Sequence, residues 1–355
     1  MDWQQRSASF TRRFGIRLPL LLAPMAGACA PPLSAAVIRA GGMGACGALL
    51  MTPEEIGRWA EAVRGAGGGA FQVNLWIPDP PPPRDPAHEA RLRGFLERFG
   101  APVPPDAGDK APPDFAAQCE ALLQSGAPVL SSVMGLFPAG FVARMKSRGI
   151  AWFAAVSTVA EAKAAEAAGA DVIVAQGAEA GGHRAAFDAG QAERRMAGLF
   201  ALLPAVVDAV AVPVVATGGI ADARGIAAAL TLGASAVQIG TGFLRCPEAG
   251  IHPAWAEAIG RTLPEDTVVS RVFSGRAGRS IATGYVLAAT APEAPAPAPY
   301  PVQRGLTAPM RAAAGKAGDV QRMQAWAGQA AALARAEPAA ALAARLWAGA
   351  RELLP

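Results

Sequence analysis

VPVVATGGIADARGIAAALTLGASAVQIGTGF, residues 212–243, is the stretch that predicts the fold of this chain. A short apolar run lies at each end and leads into glycine, and apolar side chains recur at helical spacing between the two runs. Asp222 stands where an N-cap would begin that helix. Strand–helix–strand units of this kind build parallel sheets covered by helices, so we predict two consecutive βα units here.

The same alternation of apolar run and Ala-rich helical segment extends over the first two-thirds of the chain. The runs lack the period-two pattern of half-exposed strands, as expected for a parallel sheet that helices cover. They lie at residues 18–24, 42–49, 70–76, 127–133, 151–156, 171–177, 212–219 and 235–241. About eight βα units in succession favour an α/β fold of the (β/α)₈ TIM barrel type over a doubly wound sheet.

Two regions depart from this alternation. Residues 77–115 form a Pro-rich insertion after the third strand, too long for an ordinary βα connection. At that position it is either an active-site lid or a surface loop without a role. We predict a barrel over residues 1–245, including the insertion. Residues 246–355 are then a C-terminal extension: a turn region, a Pro/Ala linker and a long, mostly helical cap packed on the barrel.

The composition excludes several classes of function. The formal net charge is +4 at pH 7 and the basic residues are scattered, which argues against nucleic-acid binding. The four cysteines are far apart, and none of the three histidines has a second ligand at helical spacing. We therefore predict free thiols and no metal site. The sequence predicts no particular oligomeric state.

Two apolar stretches imitate targeting or membrane segments. Residues 12–30 have the basic, apolar and small-residue succession of a secretory signal, but Pro19 and Pro24 interrupt the apolar part. They fit a first buried strand that ends in a loop. Residues 201–220 contain two prolines and an aspartate, which favour a buried helix and strand over a membrane span. We expect a cytoplasmic protein that does not enter the membrane.

The loops after the seventh and eighth strands predict a phosphate site. Gly218 and Gly219 let the backbone approach an anion, and the next helix begins directly after them. Gly240 and Thr241 offer backbone N–H groups and a hydroxyl in the second loop. A phosphate at these two loops is a recurrent feature of TIM barrels. No G-x-G-x-x-G fingerprint follows the first strand and no P-loop motif is present, which disfavours a Rossmann dinucleotide domain and a P-loop fold. A barrel with this phosphate site suits a mononucleotide such as FMN.

Polar and sulfur-bearing groups follow other strands, where a flavin ring would need partners. They are Ala23-Pro24-Met25 after the first strand, Asn74 in the third and Gln176 after the sixth. An amide in the apolar run FQVNLW must find a hydrogen-bond partner, either the flavin or a loop backbone.

The chain resembles the FMN-dependent nitronate monooxygenases, formerly called 2-nitropropane dioxygenases. The motifs that carry the resemblance follow one another in order: PLLLAPMAG at 19–27, FQVNLW at 71–76, QGAEAGGH at 176–183, the stretch at 212–244, FSGRAGRSI at 273–281 and LTAPMRAAAGKAGDVQRMQAWAGQ at 306–329. Together they cover most of the chain outside the Pro-rich insertion and the last two dozen residues. The chain departs from the usual family pattern at Ala185, where glycine is common, and within 274–285, which leaves the substrate preference open.

The resemblance implies a cofactor site and an active-site histidine. It implies FMN contacts from Ala23, Pro24, Met25, Asn74, Gln176, Gly181, Gly182, Gly219, Gln238, Gly240 and Thr241, to which the phosphate argument adds Gly218. It places His183 against the flavin ring and the substrate, where an imidazole can donate a hydrogen bond or a proton to an anion. The implied reaction oxidises an alkyl nitronate, such as propionate 3-nitronate, with O₂. It gives a carbonyl compound and nitrite or nitrate through a flavin semiquinone, without reduced nicotinamide.

Several assignments remain alternatives at this level. FMN-dependent enoyl-acyl-carrier-protein and quinone reductases, which use NAD(P)H, resemble the same barrel, and a non-enzymatic barrel binding a phosphorylated ligand is a third reading. Tyr300 and Lys316 are possible substrate contacts in the cap, or ordinary surface residues. Arg184 is either solvated or a positive charge at the mouth of the site. Arg276 and Arg279 are expected to pair with carboxylates that hold the cap down.

Overall fold

The computed structural model describes residues 2–355. Eleven strands lie within this range. They are β1 (Leu20–Leu22), β2 (Gly44–Gly47), β3 (Phe71–Trp76), β4 (Val129–Val133), β5 (Ala151–Val156), β6 (Val172–Gln176), β7 (Gly182–His183), β8 (Val214–Thr217), β9 (Ala236–Ile239), β10 (Thr267–Ser270) and β11 (Gly278–Ile281). Each of the eight predicted apolar runs contains one strand of the main sheet, so the predicted number and positions of those strands are confirmed.

The main sheet is an eight-stranded parallel barrel. Its strand order is β1-β9-β8-β6-β5-β4-β3-β2, so consecutive βα units lie side by side. The two end strands meet at a bridge between Leu21 and Met43, where Met43 donates its N–H to Leu20 and Leu22 donates to Met43. Every pairing in this sheet is parallel. The α/β barrel that the sequence predicts is therefore confirmed.

Helices surround the barrel and build the C-terminal part. They are α1 (Trp3–Phe14), α2 (Pro31–Ala40), α3 (Pro53–Gly65), α4 (Pro86–Leu96), α5 (Phe115–Gln124), α6 (Ala139–Ser147), α7 (Val159–Ala167), α8 (Leu199–Val207), α9 (Ala223–Thr231), α10 (Pro253–Arg261), α11 (Gly284–Ala289), α12 (Val302–Leu306), α13 (Ala308–Ala317) and α14 (Ala339–Leu353). Asp222 caps α9 as predicted, because its carboxylate accepts the N–H of Gly225.

Helix α1, which the sequence analysis did not predict, closes the bottom of the barrel. Asp2 caps its N-terminus, and Gly15 ends it in the left-handed conformation, with φ of 64°. Phe10 is 1% exposed and packs with Phe153 among the side chains inside the barrel. The other end of the barrel, where the strands end at their carboxyl termini, is open and can bind a ligand.

The eighth outer helix of the barrel comes from the far end of the chain. Helix α14 packs between α9 and α2, where a helix directly after β9 would otherwise lie. Its buried face, including Leu342 and Leu346 at 1% exposure, belongs to the main hydrophobic core. The last fifteen helical residues are thus part of the barrel, although the predicted boundary at residue 245 assigned them to the extension.

The Pro-rich insertion and the C-terminal extension share a hydrophobic core of their own. Leu92 and Leu96 of α4 pack there against Phe273, Tyr285 and neighbouring apolar side chains of the extension. None of residues 77–115 lines the cavity described below. The insertion thus packs against the extension, away from the cavity wall.

The predicted, mostly helical cap consists of separate helices. Helix α13 ends at Ala317, where Gly318 adopts a φ of 66°, and residues 318–338 are irregular up to α14. Two strands of the extension were also missed: β11 pairs with β10 on one side and β7 on the other in a small antiparallel sheet. Among residues 2–355, no helix has both the length and the apolar character of a membrane-spanning segment.

Candidate active site

A cavity of about 400 Å³ opens at the carboxyl ends of the barrel strands. Ligand sites of TIM barrels lie at this end because the loops after each strand converge there. The residues that the sequence analysis assigned to the cofactor all line it, together with His183 and Tyr300. They are Ala23, Pro24, Met25, Asn74, Gln176, Gly181, Gly182, Gly218, Gly219, Gln238, Gly240 and Thr241.

One end of the cavity is lined by unpaired backbone donors. Within residues 2–355, the N–H groups of Gly219, Ile220 and Thr241 have no hydrogen-bond acceptor, and all three residues line the cavity. Of the three residues, Ile220 is buried, Thr241 is half-buried and Gly219 is exposed. They lie after barrel strands β8 and β9, where TIM barrels commonly bind a phosphate.

Glycine is required where the loops approach one another. A Cβ at Gly181 would lie 2.5 Å from the backbone nitrogen of Gly328 and 2.6 Å from the carbonyl carbon of Ala327. Gly218 and Gly219 have φ values of 105° and 70°, which side-chain-bearing residues rarely adopt. Backbone therefore faces the cavity directly at this end.

Amide side chains at the strand ends form the polar part of the wall. The Nδ2 of Asn74 donates to the Oγ of Ser131 on β4, 3.0 Å away. Gln72 donates to the Oε1 of Gln238 at 2.9 Å, and its own Oε1 is buried without a partner among the described residues. Asn74 thus has a side-chain partner within the barrel in addition to its place on the cavity wall.

Gln176 holds the loop that carries the histidine. Its Nε2 donates to the carbonyl of His183 at 3.1 Å, and its Oε1 accepts the N–H of Ala185 at 2.9 Å. Ala185 is fully buried behind this loop and does not line the cavity. The departure at Ala185 therefore lies behind the wall of the site.

Arg184 is buried, which contradicts the expectation of a solvated side chain or of a charge at the mouth of the site. It is 2% exposed and donates to the carbonyls of Gly177 at 2.6 Å and Gln176 at 3.2 Å. Burial lowers the pKa of this guanidinium to about 10, and the charge of Arg279 acts in the same direction. Arg184 ties the two ends of the loop together from behind.

The irregular C-terminal segment closes against the same loop. Gln329 donates its N–H to the carbonyl of Glu179 at 2.9 Å, and Gly328 donates to the Oγ1 of Thr241 at 3.0 Å. Glu179 in turn accepts the N–H of Leu199 at the start of α8. The segment around 326–330 therefore lines the cavity, a role that the sequence analysis did not assign to it.

His183 lies between two tryptophan rings. Its ring centroid is 4.5 Å from that of Trp76 and 4.7 Å from that of Trp326, and both contacts are edge-to-face. Its Nε2 is 2.7 Å from the Oγ of Ser274. The sequence analysis named none of these three neighbours as a site residue, because they come from three distant segments and no local motif joins them.

The imidazole of His183 is neutral. Burial, together with the nearby positive charges of Arg304 and Arg276, lowers its pKa to about 3. The ring is half-buried, and the surface it retains faces the cavity. At neutral pH it is therefore a hydrogen-bonding group and a weak base.

Arg304 is the cationic residue of the wall, and the sequence analysis missed it. It makes no ion pair with any Asp or Glu among residues 2–355, and burial lowers the pKa of its guanidinium. Tyr300, four residues earlier, also lines the cavity, and its buried Oη has no partner within the described chain. Lys316, the other proposed substrate contact, is exposed on α13 and does not line the cavity.

The two arginines of the FSGRAGRSI motif have different partners. Arg276 forms an ion pair with Asp79 of the insertion, 3.2 Å apart, as expected for a residue that pins the cap. Arg279 instead donates to the carbonyl of Ala178 at 3.0 Å and to the Oγ1 of Thr267 at 2.9 Å. The prediction that Arg279 pairs with a carboxylate is therefore wrong. Both arginines connect the extension to surrounding loops.

The prediction of free thiols is confirmed for the four cysteines. All four cysteines are buried free thiols, and burial raises the pKa of Cys29 to about 12. No group of His, Cys, Asp and Glu side chains within residues 2–355 is arranged to hold a metal ion. The chemistry of the site thus depends on the cavity groups above.

Comparisons with known proteins agree with this geometry. The nitronate monooxygenase family model matches residues 8–349. A nitronate monooxygenase of Paraburkholderia phytofirmans is 38% identical over 338 residues, which cover 94% of this chain and 92% of that protein. The crystal structure of nitroalkane oxidase from Streptomyces ansochromogenes superposes with a TM-score of 0.88 at 37% identity, over 98% of this chain and all of that one. FabK from Thermotoga maritima superposes with a TM-score of 0.73 at 27% identity, over 97% of this chain and 96% of that one.

Proposed function

The chain belongs to the nitronate monooxygenase family, and from this we propose that it binds FMN in the cavity and oxidises an anionic alkyl nitronate. The proposed products, with O₂ as oxidant, are a carbonyl compound and nitrite or nitrate, and propionate 3-nitronate is the substrate we would test first. FMN, when bound, supplies the electron transfer to O₂, and the protein supplies binding, orientation and electrostatics.

The free backbone donors support FMN as the cofactor. Gly219, Ile220 and Thr241 line the cavity and have backbone N–H groups without an acceptor in residues 2–355, which a phosphate dianion would satisfy. Further along the wall, Asn74, Gln176 and Gln238 provide the side-chain amides that a ring edge carrying N–H and C=O groups needs. A dinucleotide would require a second phosphate site, and no G-x-G-x-x-G fingerprint follows the first barrel strand.

The observation that carries the choice of substrate is the positive charge of Arg304 beside a neutral histidine. No carboxylate pairs with Arg304 within residues 2–355, so an anion in the cavity would be its counterion. A nitronate is planar and carries its charge on two oxygens, which is the arrangement that a guanidinium binds through two parallel hydrogen bonds. His183 and the unpaired Oη of Tyr300 are additional donors on the same wall.

A neutral nitroalkane is the second candidate, since the Streptomyces relative is a nitroalkane oxidase. Oxidation of a nitroalkane begins with removal of the proton on the carbon next to the nitro group, and this step needs a general base. With a pKa lowered to about 3, His183 is a weak base for that proton. A substrate that arrives already deprotonated fits this wall better.

Oxygen consumption by the purified yellow protein tests the proposal. Propionate 3-nitronate and simple alkyl nitronates are compared with the corresponding neutral nitroalkanes, with and without NADH or NADPH. We expect rapid uptake with nitronates, slow uptake with nitroalkanes and no requirement for reduced nicotinamide. Fast anaerobic bleaching of the flavin by NADH or NADPH, with no turnover of nitronates, would identify a reductase instead. Protein without flavin absorbance would point to a binding protein.

A further inference from the structure

We infer that Ser274 is a positioning residue that holds His183 as the Nδ1–H tautomer, so that a neutral imidazole donates a hydrogen bond to the anion in the cavity. The inference rests on the proposed function for the presence of that anion. It concerns one proton on one ring and follows from the contacts around it.

The position of the His183 ring is fixed on all sides. Its backbone pairs with Gly278 of β11, and Gln176 donates to its carbonyl. The rings of Trp76 and Trp326 pack against the imidazole from both sides. With the ring held in this way, the location of its single proton is the remaining variable.

Ser274 is equally well fixed. It is 1% exposed and lies in a turn whose carbonyls accept side-chain hydrogen bonds from the cap: Gln303 and Tyr285 donate to Val272, and Thr307 donates to Phe273. These bonds hold the Oγ of Ser274 at 2.7 Å from the Nε2 of His183. Such supporting contacts are what a positioning residue needs.

The hydroxyl of Ser274 has one proton and two possible acceptors. Its Oγ accepts the N–H of Arg276 at 3.3 Å, which leaves the O–H to donate either to the carbonyl of Arg276 at 3.3 Å or to the Nε2 of His183 at 2.7 Å. The shorter contact has the normal length of a strong hydrogen bond, and the longer one is weak. Donation to Nε2 requires that Nε2 carry no proton.

The other ring nitrogen faces the cavity. The Nδ1 of His183 makes no hydrogen bond within residues 2–355 and is not enclosed by protein, so a ligand is its natural partner. When Ser274 donates to Nε2, the proton of the neutral ring is on Nδ1 and points to the ligand. In the opposite tautomer a lone pair on Nδ1 would face the anion and repel it. Ser274 thereby determines whether His183 attracts or repels a nitronate.

The tautomer can be measured directly by nitrogen NMR of histidine-labelled holoprotein. The substitutions His88→Gln and His252→Asn leave His183 as the one histidine, and long-range proton–nitrogen spectra then distinguish a protonated from an unprotonated ring nitrogen. Spectra are recorded with and without propionate, a planar two-oxygen anion that cannot be oxidised like a nitronate. We expect Nδ1 protonated and Nε2 unprotonated, most completely with propionate. A ring protonated on Nε2 in the presence of propionate would overturn the inference.

Variants of Ser274 separate positioning from structural support. Ser274→Ala is expected to shift the proton towards Nε2 and to raise the KM for propionate 3-nitronate about tenfold with a smaller change in kcat. Ser274→Thr, which keeps the hydroxyl, is expected to restore the wild-type tautomer and most of the affinity. Ser270→Ala is the matched control, because Ser270 is also a buried serine of the extension but its Oγ has no partner among residues 2–355.

The outcomes distinguish this inference from the proposed function. An unchanged tautomer in a folded Ser274→Ala protein would overturn the inference, whatever the enzyme oxidises. If Ser274→Ala does not fold, the spectrum of the protein with Ser274 intact still decides the question. Absence of nitronate oxidation by the wild-type enzyme would refute the function but leave the measured tautomer as it is.

Discussion

Arg304 decides how the site meets a negative charge, because its guanidinium lines the cavity without a carboxylate partner in the described chain. We predict that Arg304→Met raises the KM for propionate 3-nitronate between about 10- and 100-fold, the range expected when charge-assisted hydrogen bonds to an anion are lost. Steady-state oxygen uptake measures the change. Lys316→Met removes the same charge from an exposed site outside the cavity and should leave the KM unchanged. Equal effects of the two substitutions would mean that only the overall charge matters.

The lowered pKa of His183 also affects stability. In the unfolded chain the imidazole has its ordinary pKa near 6.5, whereas in the folded protein the pKa is about 3. Between these values the unfolded state binds a proton that the folded state excludes, so the free energy of unfolding falls as the pH is lowered through 6.5.

This stability effect can be isolated by substitution. Going from pH 7.5 to 5.5, we expect the free energy of unfolding to fall by about 1 kcal/mol more in the wild type than in His183→Gln. Urea unfolding at the two pH values, with excess FMN throughout, measures the difference. His252→Asn changes an exposed histidine that caps α10, and asparagine can also cap a helix. The free energy of unfolding of this variant should therefore fall as much as that of the wild type. A His183→Gln protein with the wild-type pH dependence would contradict the lowered pKa.

Sequence patterns predicted many residues of the cavity wall but not the side chains around His183. Gly218, Gly219 and Thr241 follow strands whose place in the barrel could be counted, so their convergence was predictable. Ser274 and Arg304 lie in the extension, where no strand order fixed their position. Their distance from His183 depends on tertiary packing alone.

At the scale of elements, the loop carrying His183 and the irregular C-terminal segment form one unit. The contact requires Gly181, because a Cβ there would lie 2.5 Å from the backbone nitrogen of Gly328. Gln329 of the C-terminal segment also donates its N–H to the carbonyl of Glu179 in the loop, and Gly328 donates to the Oγ1 of Thr241 after β9. The order of the cavity wall near Gly181 and Thr241 therefore depends on this contact between the two segments.

We predict that Gly181→Ala separates the two segments and weakens FMN binding. The clash is with backbone, which cannot rotate away, so we expect a loss of about 1–3 kcal/mol of stability and a lower flavin content in the purified protein. Thermal unfolding and the ratio of flavin to protein absorbance measure both. Gly57→Ala is the control, because a Cβ at this position on helix α3 meets nothing within 4 Å, and it should be neutral or stabilising.

Periodicity explains which elements were predictable. The barrel strands are buried on both faces and appear in the sequence as continuous apolar runs. Strand β11 has the sequence GRSI, and β7 consists of Gly182 and His183 alone, so neither has a pattern typical of a strand. The two strands form because tertiary packing brings β7 and β11 side by side. No local sequence pattern specifies that packing.

At the scale of the whole molecule, the barrel is closed by the two ends of the chain. Helix α1 covers its bottom, and α14 occupies the last place in the ring of helices, between α9 and α2. The ends also meet directly, since the indole N–H of Trp3 donates to the carbonyl of Pro355 at 3.0 Å. The apolar periodicity of residues 339–353 predicted a helix packed on the barrel but could not show that it fills the place between α9 and α2.

The position of α14 predicts that the barrel does not fold without the C-terminus. A chain ending at residue 337 would expose the surfaces of α9 and α2 that now cover Leu342, Ala343 and Leu346. Burying two leucines and several alanines contributes more than about 5 kcal/mol, comparable to the whole stability of many domains. We therefore expect the truncated protein, and likewise residues 1–245 alone, to be insoluble or partly unfolded and to lack flavin. Leu353→Ser, at a 56% exposed position on the same helix, should be as stable as the wild type. A soluble, flavin-containing 1–245 fragment with cooperative unfolding would show instead that the barrel is complete before the extension begins.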